Sequence, residues 1–443
     1  MVEHDPDELL GGVLDAVAEV VDAVNSRVAG IGIANQTESF VLWERGGGRA
    51  ASPVVSWQDQ RAADLCAAIG ERPEAAAVAT TTGLSLDSTF SAPKLAWLLE
   101  SDAALRARAE AGDLLFGDIG SWLTWHLSGG VAHVTEPSNA CRSLLVDLET
   151  LRWDAALLDL FDVPAALLPE IRPSDDPGAR SSGALVGFEA PVAALLGDQP
   201  AALYGHGCTA PRMAALTLGT GAFVWLNVGW RRPEPPPGVL ATVAWDLRAT
   251  AGATYALEAF CSNAGNALGM LPALGFAAIG AGEAPDWSLP HPVVVPSPAG
   301  LGTPHWHAVD RISVLGADSS TTAVDLALAG VAGVAHQIVD ALESVDARSS
   351  ADALRVGGGL SAHEGLVQAV ADLSGLTLEI AAEPEASARG IAALVAAAVG
   401  AFEGDVVVPP IARRVAPRLD DNGRARERGR WMDALEVHMR SGA

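Results

Sequence analysis

The sequence predicts a two-domain α/β protein with a ligand cleft between its domains. Three observations point there. The chain has 443 residues, more than one ordinary hydrophobic core organises. Apolar residues make up 49% of it, which fits packed α/β layers and argues against global disorder. Strand–glycine–helix units are read twice, around Gly219 and around Gly357, as in paired domains that close over a nucleotide. The boundary is expected between Tyr204 and Pro211.

The elements follow in order. Asp5 to Val24 reads as a helix. Asp5 caps it, Pro6 suits its first turn, and Leu9, Leu10, Val13, Leu14, Val17, Val20 and Val21 form one face. Val28–Ala34 is a short apolar segment ending at Asn35-Gln36, as in a parallel strand with a polar tip. Phe40–Trp43 and Pro53–Trp57 are strands across the turn Arg45–Arg49. Gln60–Gly70 and Ser91–Glu100 are helices. The segment from Asp113 is a strand, a turn and a helix, with Trp122 and Trp125 as core anchors. Arg231–Pro237 is a proline-rich loop, and Pro290–Pro304 is expected to be irregular. Ser320–Leu342 and Ser387–Val399 are Ala-rich helices. Arg355–Leu360 is a strand running into glycines, and Arg424–Arg430 reads as a solvated helix face in the tail from Gly404.

The chemistry concentrates between Leu196 and Phe223. Asp198 sits among small residues, where a carboxylate can meet a ligand. Ala214–Leu218 reads as a buried strand that ends in Gly219-Thr220-Gly221. Glycines let backbone amides approach a phosphate, and the Thr hydroxyl adds a donor. A candidate general base close to a candidate phosphate cradle points to phosphoryl transfer onto a hydroxyl.

The formal net charge of −26 disfavours nucleic acid and anionic lipid as partners. Cys66, Cys141, Cys208 and Cys261 lack metal-site spacing and read as small buried hydrophobes in a reducing, cytoplasmic protein. No long uninterrupted apolar run implies a membrane span, and the acidic start does not resemble a signal peptide.

Seven motifs then carry a resemblance. Val2-Glu-His-Asp-Pro-Asp, Gly32-Ile-Ala-Asn-Gln36, Ser56-Trp-Gln-Asp-Gln-Arg61, Phe90-Ser-Ala-Pro-Lys-Leu-Ala-Trp97, Gly197-Asp-Gln199, Gly219-Thr-Gly221 and Gly358-Gly359 occur in one order. Taken together they resemble the FGGY carbohydrate kinases, most of all the glycerol kinases among them, from Met1 to about Phe402. The resemblance implies two ribonuclease H-like domains of the actin-like ATPase kind around a central cleft. It implies an N-terminal, acceptor-binding domain over 1–206 and a C-terminal, nucleotide-binding domain over 207–443. ATP with Mg²⁺ would be the phosphoryl donor, and a polyol or sugar the acceptor. Asp198 would be the general base. Glu38, Trp57, Gln199 and Phe223 would hold the acceptor. Thr220, Gly265, Gly358, Gly359 and His363 would line the nucleotide site. No metal ligand is assigned, and homo-oligomerisation stays open.

The sequence also departs from that family. Its opening strand and Asp-x-Gly-Thr loop are absent from these residues, so the first domain is expected to be N-terminally truncated, with bare apolar faces and an unpaired strand edge. Such a loss has two explanations, a misassigned start or a degenerate, inactive kinase that binds a metabolite or ADP. Another actin-like ATPase is a third reading. Thr37 and Thr89 stand where an Arg and a Tyr would face the acceptor, so a guanidinium beside Glu38 is expected to be missing. Gly357 and His363 replace an Asp and an Asn at the nucleotide end.

Overall fold

The structure is a computed structural model. It describes residues 1–24, 27–250, 252–289, 291–308, 310–350, 353–401 and 409–440. Pro290, Phe402 and Gly404, which bound three of the expected segments, lie outside the described residues.

Asp5 starts the first helix. Its Oδ1 accepts the amides of Asp7 (2.8 Å) and Glu8 (3.1 Å), leaving fewer bare N–H groups at the helix start. The helix runs Pro6–Val24 and lays Leu9, Leu10, Val13 and Leu14 on a core that contains Trp43, Trp122, Trp125 and Leu195. Trp122 meets Trp43 edge-on at 5.4 Å, so the two Trp-rich helix positions are core anchors as expected.

This arrangement corrects the expected bare, truncated first domain. The strand Glu3–His4 pairs antiparallel with Val54–Val55, and the Val2 amide bonds the Asp59 carboxylate at 2.5 Å. The first residues are thus built into the domain. Its strands form two larger sheets and two short two-stranded ones. Of the larger two, one orders Glu3–His4, Val54–Val55, Phe40–Glu44 and Leu114–Asp118; the other orders Ala179–Arg180, Pro191–Gly197 and Ile31–Asn35.

The second half is organised on one seven-stranded sheet. Its order is Leu240–Trp245, Thr254–Cys261, Ala222–Gly229, Ala214–Leu218, Ala353–Gly357, Thr377–Ala381 and Ile411–Val415. Apolar side chains of the helices Ala323–Ser344 and Glu364–Ser374 join those of the sheet in the largest core cluster. Ala323–Ser344 is long and apolar enough to cross a membrane, and most of it is buried inside the fold.

Three local expectations are corrected. Gly219–Gly221 is the turn of a β-hairpin, because Ala214–Leu218 pairs antiparallel with Ala222–Gly229; only Gly357 leads on toward a helix. Val293–Ser297 is a strand paired with Arg311–Leu315, its alternation masked in the sequence by prolines. The helix Asp421–Arg440 is a clasp as well as a solvated face. Trp431 is fully buried and stacks on His336 at 5.0 Å. Arg428 bonds Asp340 at 2.5 Å and Glu343 at 2.7 Å.

The halves meet where helix Asp198–Gly205 crosses helix Ala386–Ala398. That second helix comes late in the chain yet also packs on Ile31–Asn35 and Pro191–Gly197. Glycines permit the crossing. A Cβ at Gly390 would lie 1.8 Å from the Ala201 carbonyl oxygen, and one at Gly205 would lie 2.0 Å from that of Ala386. Backbone on both sides cannot rotate away. We expect Gly390→Ala to cost about 1–3 kcal/mol or more in denaturant unfolding. Parent-like stability would show that the helices part freely.

Candidate active site

Strand register assembles the acceptor end. Pro191–Gly197 lies parallel to Ile31–Asn35, with Gly197 opposite Asn35. Residues 36–38 and Asp198 therefore leave the sheet side by side, at the carboxyl ends of parallel strands, where α/β folds bind ligands. Gly197 must be small, since a Cβ there would lie 2.6 Å from Thr37 Cγ2. Its amide donates to Ser138 Oγ at 2.9 Å.

Glu38 is strained and buried. Its φ is +61°, and the Ser39 amide bonds the Thr37 carbonyl at 2.8 Å, which makes a tight γ-turn of the strained kind. Its Oε2 accepts from Thr37 Oγ1 (2.6 Å) and its Oε1 from Arg142 Nε (2.6 Å). Arg142 reaches on to Glu258 Oε2 at 2.5 Å. The expected missing guanidinium is corrected: position 142 supplies one from elsewhere in the chain. Burial disfavours a charged Arg142, but Glu258 and Glu38 offset it and hold the group protonated well above its ordinary range. Burial pushes the Glu258 carboxyl up despite Arg142 beside it.

Asp198 opens the helix Asp198–Gly205 and is half-buried. Burial pushes its carboxyl up to about 6, and the negative charge of Glu38 adds to this. The Gln199 amide donates to Oδ1 at 2.8 Å. Gln199 Oε1 is buried and accepts no hydrogen bond within the protein. Trp57 is half-buried, its amide on Ser39 Oγ at 3.0 Å. Phe223 is half-buried and stacks toward Phe260 at 6.2 Å.

The glycine loops assemble the same way. Ala214–Leu218 lies parallel to Ala353–Gly357, with Thr217 opposite Gly357, so both loops emerge from one end of the sheet. The Gly219–Gly221 turn is stapled to the next helix start: Gly265 N bonds Gly219 O (3.0 Å), and Ala264 N and Asn266 N bond Thr220 O (3.2 Å each). Gly265 sits close, since a Cβ there would be 2.8 Å from Gly219 O. Gly358 has φ +87°, and a Cβ would meet Leu218 O at 2.3 Å. Gly359 faces open space and Thr220 is exposed, as a ligand cradle requires. His363 has a further job: its Nδ1 accepts the Leu366 amide at 3.1 Å and caps the helix Glu364–Ser374.

A family model for the N-terminal domain of FGGY carbohydrate kinases matches residues 1–205, and the model for the C-terminal domain matches 214–399. The chain belongs to the FGGY family of carbohydrate kinases. It transfers a phosphoryl group from ATP to a hydroxyl of a polyol or sugar. The N-terminal match begins at residue 1, which overturns both the expected missing N-terminal segment and the truncated first domain of the expected fold. This FGGY kinase is 38% identical to a glycerol kinase of Citrifermentans bemidjiense, over 99% of this chain and 90% of that protein. It is 36% identical to one of Thermus thermophilus, over 99% and 91%. In fold it is similar to Plasmodium falciparum glycerol kinase with ADP (TM-score 0.91, 24% identity, covering 98% of this chain and 90% of that one). It is also similar in fold to a xylulose kinase from Lactobacillus acidophilus (TM-score 0.87, 18% identity, covering 100% and 90%).

Sequence reasoning missed Arg142, Glu258 and Lys94. Each left a signal. Arg142 interrupts a run of small and apolar residues, Glu258 is the lone charge in Thr254–Cys261, and Lys94 is the only lysine.

Proposed function

We propose that this kinase phosphorylates a short polyol, with glycerol the first candidate, and that Asp198 is its general base. The observation that carries this reading is the meeting of Asp198, Glu38 and the unpartnered Gln199 Oε1 at the ends of two parallel strands. One acceptor hydroxyl donates to that oxygen and another to Glu38, and the Trp57 and Phe223 rings face the carbon chain. The Asp198 carboxylate takes the proton of a further hydroxyl, the attacking one, while its oxygen attacks the γ-phosphorus. The bond from that phosphorus to the β-phosphate oxygen breaks and ADP leaves.

On the donor side, Thr220, Gly265, Gly358 and Gly359 hold the phosphates and the rest of the nucleotide. His363 fixes the helix start beside them. Mg²⁺ comes bound mainly to the nucleotide phosphates, which suits a cation that keeps its waters and uses few protein carboxylates. Among the described residues no group of three or more His, Cys, Asp or Glu side chains is gathered as a metal cage. The four cysteines are free and buried, which supports a cytoplasmic setting. The net charge of −26 disfavours nucleic-acid and membrane partners.

The test is phosphoryl transfer from Mg-ATP to glycerol, other short polyols, pentuloses and hexoses. We expect glycerol or another short polyol to have the highest kcat/KM. Preference for a pentulose or hexose would overturn the short-polyol reading, and no transfer to any of them would overturn the acceptor class.

A further inference from the structure

Of the 28 lysine and arginine positions in this chain, Lys94 alone is lysine. It is also fully buried, at 0% exposure. Every other such cation is arginine, so general solubility does not explain one lysine sealed in the interior. What lysine offers there is a compact ammonium with three donors, where a planar guanidinium fork needs more room.

The surroundings give that ammonium a task. Lys94 lies in the helix Ser91–Ser101, and its Nζ donates to the carbonyl of Thr89. Burial pulls the ammonium down to about 8, against the carboxylates of Glu38, Asp59 and Asp87 that favour its charge. The positive charge of Arg61 adds to that lowering. Glu38 and Asp59 spend their own hydrogen bonds elsewhere, on Arg142 and Thr37 and on Arg61 and the Val2 amide. Lys94 therefore acts on the backbone turn. In that turn the Thr89 amide bonds Asp87 Oδ1 at 2.8 Å. The next two residues reach the acceptor end. The Phe90 ring lies under the Arg142 guanidinium at 5.3 Å, and Ser91 Oγ donates to the Glu38 carbonyl at 3.1 Å.

We propose that Lys94 is a positioning residue of the acceptor site, its ammonium holding the 87–91 turn that sets Phe90 against Arg142 and Ser91 against Glu38. This rests on the reading that Glu38 binds the acceptor. Steady-state kinetics of Lys94→Met, Lys94→Arg and Glu38→Gln test it. We expect Lys94→Met to raise acceptor KM about tenfold or more, since small displacements of positioning groups are costly. The KM for ATP should stay within about twofold, as only the acceptor end is disturbed. Lys94→Arg should fail to restore acceptor KM; full rescue would overturn the need for a compact ammonium. If Glu38→Gln raises acceptor KM and Lys94→Met does not, the Lys94 role is wrong and the acceptor reading stands. If Glu38→Gln leaves acceptor KM unchanged, the acceptor reading falls and takes this role with it.

The unaltered enzyme supplies a second measurement, valid even if the variants fold poorly. The amines of this 443-residue chain are the Met1 α-amine and Lys94. Acetylation by an N-hydroxysuccinimide ester, followed by mass spectrometry, reads each separately. Glycerol, or whichever panel member is turned over, present at ten times its Kd should slow Lys94 acetylation about tenfold, because the turn must open to expose the amine. Met1 acetylation should not change. Equal Lys94 rates with and without acceptor would overturn the coupling.

Discussion

Asp198→Asn lowers turnover by about 10²- to 10⁴-fold and spares ATP binding, because only the proton acceptor is lost. Single-turnover transfer and nucleotide titration check the two halves of this result. Near-normal turnover would remove Asp198 from the role of base. The pH dependence follows from the site. Burial and the Glu38 charge hold the Asp198 carboxyl at about 6, so the parent's kcat/KM rises as pH passes through about 6 and levels off above it. The stability sign runs the other way. With a folded pKa above the ordinary 3.8, the folded state keeps a proton that the unfolded chain has released. Ionised Asp198 therefore costs stability as pH rises from 3.8 through about 6, and the cost persists at neutral pH. The Asn variant should unfold at an equal or higher denaturant concentration than the parent above pH 6. Marked destabilisation there would mean that Asp198 is a structural cap.

Arg142→Met has the largest expected effect on stability. Arg142 is buried between Glu38 and Glu258 and bonds both. Methionine keeps much of the stem but strands two buried carboxylates. Breaking a buried ion pair by removing one partner costs about 3–5 kcal/mol. Denaturant unfolding at neutral pH measures it. Arg142→Lys keeps the charge and loses the fork, so it should fall between the two, since one ammonium does not span both carboxylates in the same geometry. A Met variant as stable as the parent would mean that the carboxylates are neutral or already solvated.

Much of the fold was legible in the residues themselves. Asp5 capped the first helix where its spacing placed it. Trp122 and Trp125 proved to be core, and the buried Ala214–Leu218 strand does end in Gly219-Thr220-Gly221. The errors share a cause, which is that local signals do not say what lies opposite. Gly219–Gly221 joins two strands because Ala222–Gly229 has a strand partner on each side. The arginine-rich tail reads as solvated, but Trp431, Arg424 and Glu427 are buried against other elements. Thr37 reads as a lost guanidinium, yet Arg142 arrives across 104 residues of chain to bond Glu38.

The sequence by itself determined the two-half α/β organisation, the glycine loops, the family resemblance and the candidate base, because these depend on periodicity, composition and short motifs. Tertiary structure alone decided how the first residues are built into their domain, which cation serves Glu38, how the late helix Ala386–Ala398 returns to the early strands, and why the one lysine is buried. Those depend on strand register and on glycine-sized clearances between distant segments. No local pattern encodes what a distant segment of the chain will bring against a residue.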